Sequence, residues 1–280
     1  MGVNCMGKMD IRIHSLFFIC LAILSACTVF RGEQVHKIAL LAPFEGRYRE
    51  IGYDALYAVR LAIADSAITN IDLLAIDDGG SIESAIDRAK AIQEDSAIEV
   101  VLALGPYATV PEVQAAYGDI PVIIVGHWNA ESLQENIFVL AHAEMSVQLT
   151  YHENRVFVES STPEIYASEI LALKQVPLLF NEDNLANLYI LSSSTLADEA
   201  FYQRYIHSAQ FVPEPGLLTT LSYDATGIAL EVITTNDSSP TEIEYEGING
   251  RIRFANGFWL DAPIHQYGYD HSGQLAILQP

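Results

Sequence analysis

The residues able to bind a small molecule gather where short apolar runs end. Phe44, Arg47 and Tyr48 follow the run 38–42, Tyr107, Ala108 and Thr109 follow the run 100–104, and His127, Trp128 and Asn129 follow the run 122–125. Arg47 is either the partner of an anion in a chain short of positive charge or a solvated loop arginine. Tyr48 is either an aromatic wall or first-turn packing. Trp128 has a large apolar face and one N–H donor, which suits a ligand wall or the packing of a hinge. Ser192, Ser193 and Ser194 can bond a ligand or cap the next helix. This inventory of hydroxyls, aromatic faces and one cation is binding chemistry. Patterns for covalent or metal catalysis are absent: there is no Gly-x-Ser-x-Gly, no His-Glu-x-x-His and no glycine-rich phosphate loop. His142, Glu144, His152 and Glu153 are a weak metal set at their spacing. Asp77 and Asp78 adjoin by chance in a chain with 36 acidic residues. Neither a metal nor a cofactor is expected.

Such loops need a scaffold, and the pattern between them supplies one. The runs 38–42, 71–76, 100–104 and 122–125 are unbroken and apolar, as strands buried on both faces require. Between them, residues 51–63 and 82–92 repeat apolar side chains at helical spacing, with Ser81 as an N-cap, and 110–117 reads as a brief helix. Strands alternating with helices predict a parallel sheet covered on both faces, with ligands beyond the carboxyl ends of its strands. Further on, the pattern predicts strands at 156–159, 176–180 and 188–191. It predicts helices at 163–173, 197–208 and 226–234. Residues 137–141 read as a strand or a crossing segment. Asn256-Gly257 is a tight-turn signal, and 264–269 and 275–278 flank a last turn.

Composition narrows the function classes. The 280 residues carry 14 Lys plus Arg against 36 Asp plus Glu, a formal net charge of -22. A field of that sign repels phosphate backbones and anionic lipid, so nucleic acid is not an expected partner. Half of the residues are hydrophobic, which is a folding composition.

The first residues read as a sorting signal. Lys8, Arg12 and His14 precede an apolar run, 16–24, which closes on Leu24-Ser25-Ala26-Cys27. This resembles the signal of a bacterial lipoprotein, cut before a lipidated Cys27. The run is shorter than the roughly 20 residues of a comfortable span. Residues 1–26 are therefore expected to be a signal peptide and 27–35 a connector, with the body on the outer face of a membrane. Cys5 and Cys20 would leave with the signal, so disulfides and cysteine nucleophiles are not expected.

The order of motifs resembles the type I periplasmic binding proteins, in the leucine/isoleucine/valine-binding branch of ABC-transporter substrate receptors. Lys37 to Pro43 with Ile51-Gly52 resembles their opening, Gly105 to Thr109 their loop after the third strand, and Ile120-Pro121-Val122 with Gly126 their fourth strand. Phe201 to Tyr205, Pro213-Glu214-Pro215, Tyr223-Asp224-Ala225 and Ile248 to Gly257 resemble their later segments. The resemblance implies two Rossmann-like α/β lobes joined by hinge crossings. Lobe 1 would be 36–125 plus 195–260, and lobe 2, reduced in size, 126–194 plus 261–280. It implies a small polar, amino-acid-like ligand in the cleft, held by Phe44, Arg47, Tyr48, Tyr107, Ala108, Thr109, His127, Trp128, Asn129, Ser193 and Ser194. Ala108 stands where a serine is expected. An ABC-transporter permease would be the partner. A sensor or protein-interaction scaffold that has kept the fold is the alternative, and an extracytoplasmic hydrolase the third.

Overall fold

The computed structural model describes residues 35–128, 134–145, 165–235 and 239–279, and the backbone of two short strands, Tyr151–His152 and Arg155–Val156. Cys27, Asn129 and Glu153 lie outside the described residues, as do Phe157 to Glu159.

His36–Ala42 is the organising strand. From Ile38 onward its side chains are wholly buried, so it must be covered on both faces. It pairs in parallel with Ile71–Asp77 on one side and Ile98–Ala103 on the other. Val122–Val125 and Ile137–Leu140 extend the sheet in parallel. The hairpin Phe254–Ala255 and Phe258–Trp259 closes the far edge. Its turn is Asn256-Gly257, both at positive φ (52° and 79°), as the dipeptide predicts. Seven strands thus form the first sheet.

Each strand sends alternate residues to opposite faces. Ile38, Leu40, Leu102, Ile123 and Val125 face one apolar cluster with Ile51, Ala55 and Val59 of helix Arg49–Ser66 and Leu221, Ala225 and Ile228 of helix Thr219–Thr235. Leu41, Val101, Ala103, Val122 and Ile124 face the other, with Ala85, Ala89 and Ile92 of helix Ile82–Glu94 and Val113 of helix Pro111–Ala116. Ser81 caps Ile82–Glu94 as expected: its hydroxyl accepts the Ser84 N–H at 3.2 Å.

The second sheet has four strands in the order Leu275–Gln279, His265–Tyr269, Leu188–Ser192 and Ile165–Ala167. The last two pair in parallel and the others are antiparallel. Residues 36–280 form one compact unit holding both sheets.

Three sequence expectations are corrected here. Residues 163–173 were expected as a helix, but Ile165–Ala167 is a strand and Glu169–Leu171 a single 3-10 turn. Tyr166 stacks on Tyr189 across the strand pair, with ring centroids 5.2 Å apart, which a helix would not permit. The expected strand 176–180 is the short helix Val176–Leu179. Pro177 sits in its first turn, where no N–H is needed, and Leu178 and Leu179 point outward rather than into a core. Ile137–Leu140 belongs to the first sheet, not with residues 126–194 as a second lobe. All four of its residues are buried, and it pairs along Val122–Val125.

Candidate functional site

The carboxyl ends of the first sheet's strands carry the loops in question. Asp77 fixes the first of them. Its Oδ1 accepts the N–H groups of Phe44 (2.6 Å) and Glu45 (3.1 Å), tying the exit of one strand to the exit of its neighbour. Gly52 lets helix Arg49–Ser66 lie against that exit, because a Cβ there would stand 2.1 Å from the Pro43 carbonyl oxygen. The loop is thereby presented with Phe44 edge-on to Tyr53 at 5.7 Å, Tyr48 packed on the core, and Arg47 exposed.

The third-strand loop turns inward. The Thr109 hydroxyl, wholly buried, donates to the Gly105 carbonyl at 2.8 Å. Tyr117 donates to the Ala108 carbonyl and Gln114 to the Thr109 carbonyl. Tyr107 packs on the core of its face. These bonds hold the loop's own shape.

The fourth strand ends at Gly126, with φ at +90°. Here the chain's own Glu169 enters. Its carboxyl carbon lies 3.5 Å from where a Cβ of residue 126 would be. Oε2 accepts the His127 N–H at 3.1 Å, and Oε1 accepts the Ser192 hydroxyl at 2.7 Å. Burial pushes Glu169 up to about 7, although those donors oppose the shift. The His127 ring is held neutral by burial, below its ordinary value. Trp128 donates its ring N–H to the Val125 carbonyl at 2.7 Å and packs against both core clusters.

The serines lie where the chain passes between the sheets. The Ser193 hydroxyl accepts the His142 N–H at 3.1 Å. The Ser194 hydroxyl donates to the Leu217 carbonyl and lies 3.1 Å from the Thr220 hydroxyl. All three serines are buried.

Two spaces lie along this junction. A small cavity of about 20 Å³ is lined by Asp54, Glu169, Leu173 and Gly216, among others. Burial pushes Asp54 up to about 8, with Lys174 opposing and Glu50 reinforcing the shift. Its Oδ1 is buried without a hydrogen-bond partner. Outside it is an opening of about 500 Å³, with Gly46, Arg47, Arg49 and Glu50 on one side and Lys174, Gln175 and Leu178 on the other. Its walls are tied together. Glu50 accepts the Lys174 N–H at 3.1 and 3.2 Å, and Gln175 donates to the Arg47 carbonyl at 2.8 Å.

Among the sequence candidates, Arg47 lines this opening, with Tyr48 beside it in the chain. His127, Ser193 and Ser194 lie along the junction, and Thr109 and Ala108 are engaged within their own loop. Sequence reasoning missed Asp54, Glu169, Lys174 and Gln175. Their partners are remote in sequence, and 169–173 reads as part of a helix. Among the described residues no cluster of three or more His, Cys, Asp or Glu can hold a metal ion, and no helix is long and apolar enough to cross a membrane.

No protein-family model matches the chain, and no curated protein matches it. Solved structures do. The chain is similar to the branched-chain amino acid transporter substrate-binding protein of Streptococcus pneumoniae in complex with isoleucine, with a TM-score of 0.62 and 14% identity over 88% of this chain and 100% of that one. It is also similar to a solute-binding protein of R. palustris in complex with benzoate (TM-score 0.63, 13% identity, 88% and 96% covered). A periplasmic binding protein type 1 from Bordetella pertussis gives a TM-score of 0.61 at 14% identity, with 88% and 100% covered. The fold is that of the type I periplasmic binding proteins.

Proposed function

We propose that this chain is an extracytoplasmic solute receptor that binds a small polar, amino-acid-like ligand for an ABC transporter. A lipid on Cys27 would hold it at the membrane. The observation that carries the reading is the opening of about 500 Å³ between residues 46–50 and 174–178. That volume suits a small molecule. Three of the chain's 14 cationic side chains, Arg47, Arg49 and Lys174, line it beside the carboxylate of Glu50. Cations gathered at one mouth of a protein of net charge -22 select a ligand with an anionic group. Glu50 suits an ammonium on the same ligand.

The test is a thermal-shift screen of amino acids and small carboxylates, repeated on an Arg47→Ala, Arg49→Ala double variant. A ligand at about 100 times its Kd adds about 2.7 kcal/mol of stability. The receptor reading expects a saturable shift in the parent that the double variant loses. A shift for no member of the panel would end it.

One observation favours a second reading, the sensor or scaffold that keeps the fold without transport. The crevice beyond Val122–Val125, where an open parallel sheet receives ligands, is filled by Glu169.

A further inference from the structure

The crevice at the end of Val122–Val125 is filled by the carboxyl of Glu169. Gly126 gives the close backbone approach: a Cβ would meet Leu218 at 2.9 Å and the Glu169 carboxyl at 3.5 Å. The His127 N–H then points out of the turn and meets one carboxylate oxygen at 3.1 Å. The Ser192 hydroxyl, from the end of a second-sheet strand, meets the other at 2.7 Å. Ser192 is itself oriented, because its oxygen accepts the Ser194 N–H at 3.0 Å. The acid and the hydroxyl are buried, with Glu169 only 1% exposed and Ser192 at 0%, and His127 is half-buried. One donor comes from the exit of the first sheet and one from the second, so whatever carboxylate sits there joins the two.

We infer that this crevice is a carboxylate-binding site occupied in cis by Glu169, which latches the two sheets together in place of a bound solute. A solute receptor closes because its ligand bonds both sides. Here the chain supplies that bond, so the closed arrangement does not wait for a ligand. The inference stands whether or not the outer opening takes a solute. A solute there would act on the unaltered protein, whereas the latch reports only when Glu169 is shortened.

The experiment follows from what Glu169→Ala removes, a CH₂–COO⁻ group, which is the size of acetate. Melting temperatures are measured for the parent, Glu169→Ala and Glu169→Gln, in sodium acetate and in sodium chloride at equal ionic strength, at pH 8, above the value of about 7 to which burial pushes Glu169. Glu169→Ala is expected to melt roughly 5 °C lower, because it leaves the buried Ser192 hydroxyl and the half-buried His127 N–H unsatisfied. Acetate should restore about half of that loss with a saturable dose dependence. Propionate, one carbon too long, should restore less. Glu169→Gln keeps the shape and accepts one of the two bonds through its oxygen, while its amide nitrogen can only donate, so it should melt between the parent and Glu169→Ala and ignore acetate. The inference is overturned if Glu169→Ala melts with the parent, or if acetate raises all three proteins alike. Should Glu169→Ala fail to fold, amide exchange at His127 decides. Ser192→Ala frees one side of the latch, so exchange at that amide should rise roughly tenfold over the parent. An unchanged rate would equally overturn the inference.

Discussion

The first sheet and the junction between the sheets are held by different physics. In the first sheet, the runs 38–42 and 122–125 are apolar throughout and lie between two clusters of aliphatic side chains. Polar pairs such as His36 with Glu99 and Lys37 with Asp95 sit only at the strand ends. The junction is made of buried hydroxyls and carboxyls. Glu169 meets Ser192 and the His127 N–H, and Tyr267 donates to the Ser194 carbonyl at 2.7 Å. The Tyr269 hydroxyl meets the Leu171 and Leu173 carbonyls at 2.7 and 2.9 Å. Asp224 accepts from Ile248 N, Asn249 N and Asn249 Nδ2, while the Asn249 side-chain Oδ1 accepts from Thr195 N and Oγ1. Apolar packing fixes the sheet without asking for direction. The polar joint holds only when every donor and acceptor is aligned, so it is the place where the molecule can change state.

The largest test of this contrast is Leu102→Ala, in the wholly buried middle of the first sheet. It should cost about 2–5 kcal/mol in urea unfolding. Ile277→Ala, at a half-exposed position of the second sheet, should cost under about 1 kcal/mol. Equal losses would break the distinction. Next comes Asp224→Ala, which strips the acceptor from three donors and should cost about 1–3 kcal/mol. Amide exchange at Ile248 and Asn249 should quicken with it. A loss in stability without that local change would move the cause elsewhere.

Acid–base behaviour sharpens the contrast further. Glu169 is raised from 4.5 to about 7 and Asp54 from 3.8 to about 8. A raised carboxyl binds its proton more tightly in the fold than in the unfolded chain. Its share of stability is therefore full at low pH and is lost as pH rises through the folded value. His127 and His265, lowered by burial from 6.5, act in the opposite sense as pH falls below that value. Between about pH 6.5 and 8 the histidines no longer oppose the acids, and stability should decline. Asp54→Asn should flatten that decline in chemical denaturation run at several pH values. A slope unchanged by the substitution would place the titration outside the junction. The smallest effect is expected from the Arg47→Ala, Arg49→Ala double variant, within about 0.5 kcal/mol per site for exposed positions. It should alter solute binding and leave stability nearly untouched.

The same division explains what the sequence disclosed. Apolar runs bounded by Pro43, Gly105 and Gly126 announce the strands of the first sheet, and Asn256-Gly257 announces its closing hairpin. Ser81 marks a helix start by a hydrogen bond only three residues long. The junction writes no such signature. Ile165–Ala167 is too short to display a period of two, so it merges with the spacing of a helix. Glu169 bonds residues 42 positions before it and 23 after it, and Ser194 bonds Leu217 and Thr220. Whether a serine faces a ligand or the chain depends on such remote partners, which residue type and local spacing do not reveal.

The closing hairpin has a consequence for how the chain is made. Ile137–Leu140 is buried along its whole length, yet among the described residues one of its edges is covered by Gly257, whose carbonyl accepts the Val139 N–H at 2.7 Å, and by Phe258, which pairs with Val139. That partner emerges nearly half a chain later. During synthesis the first sheet is therefore complete in its apolar content long before it is complete in its edge. A growing chain would carry an open, sticky strand until residues 257–259 arrive. Holding it unfolded until release would keep that strand from pairing with a neighbour.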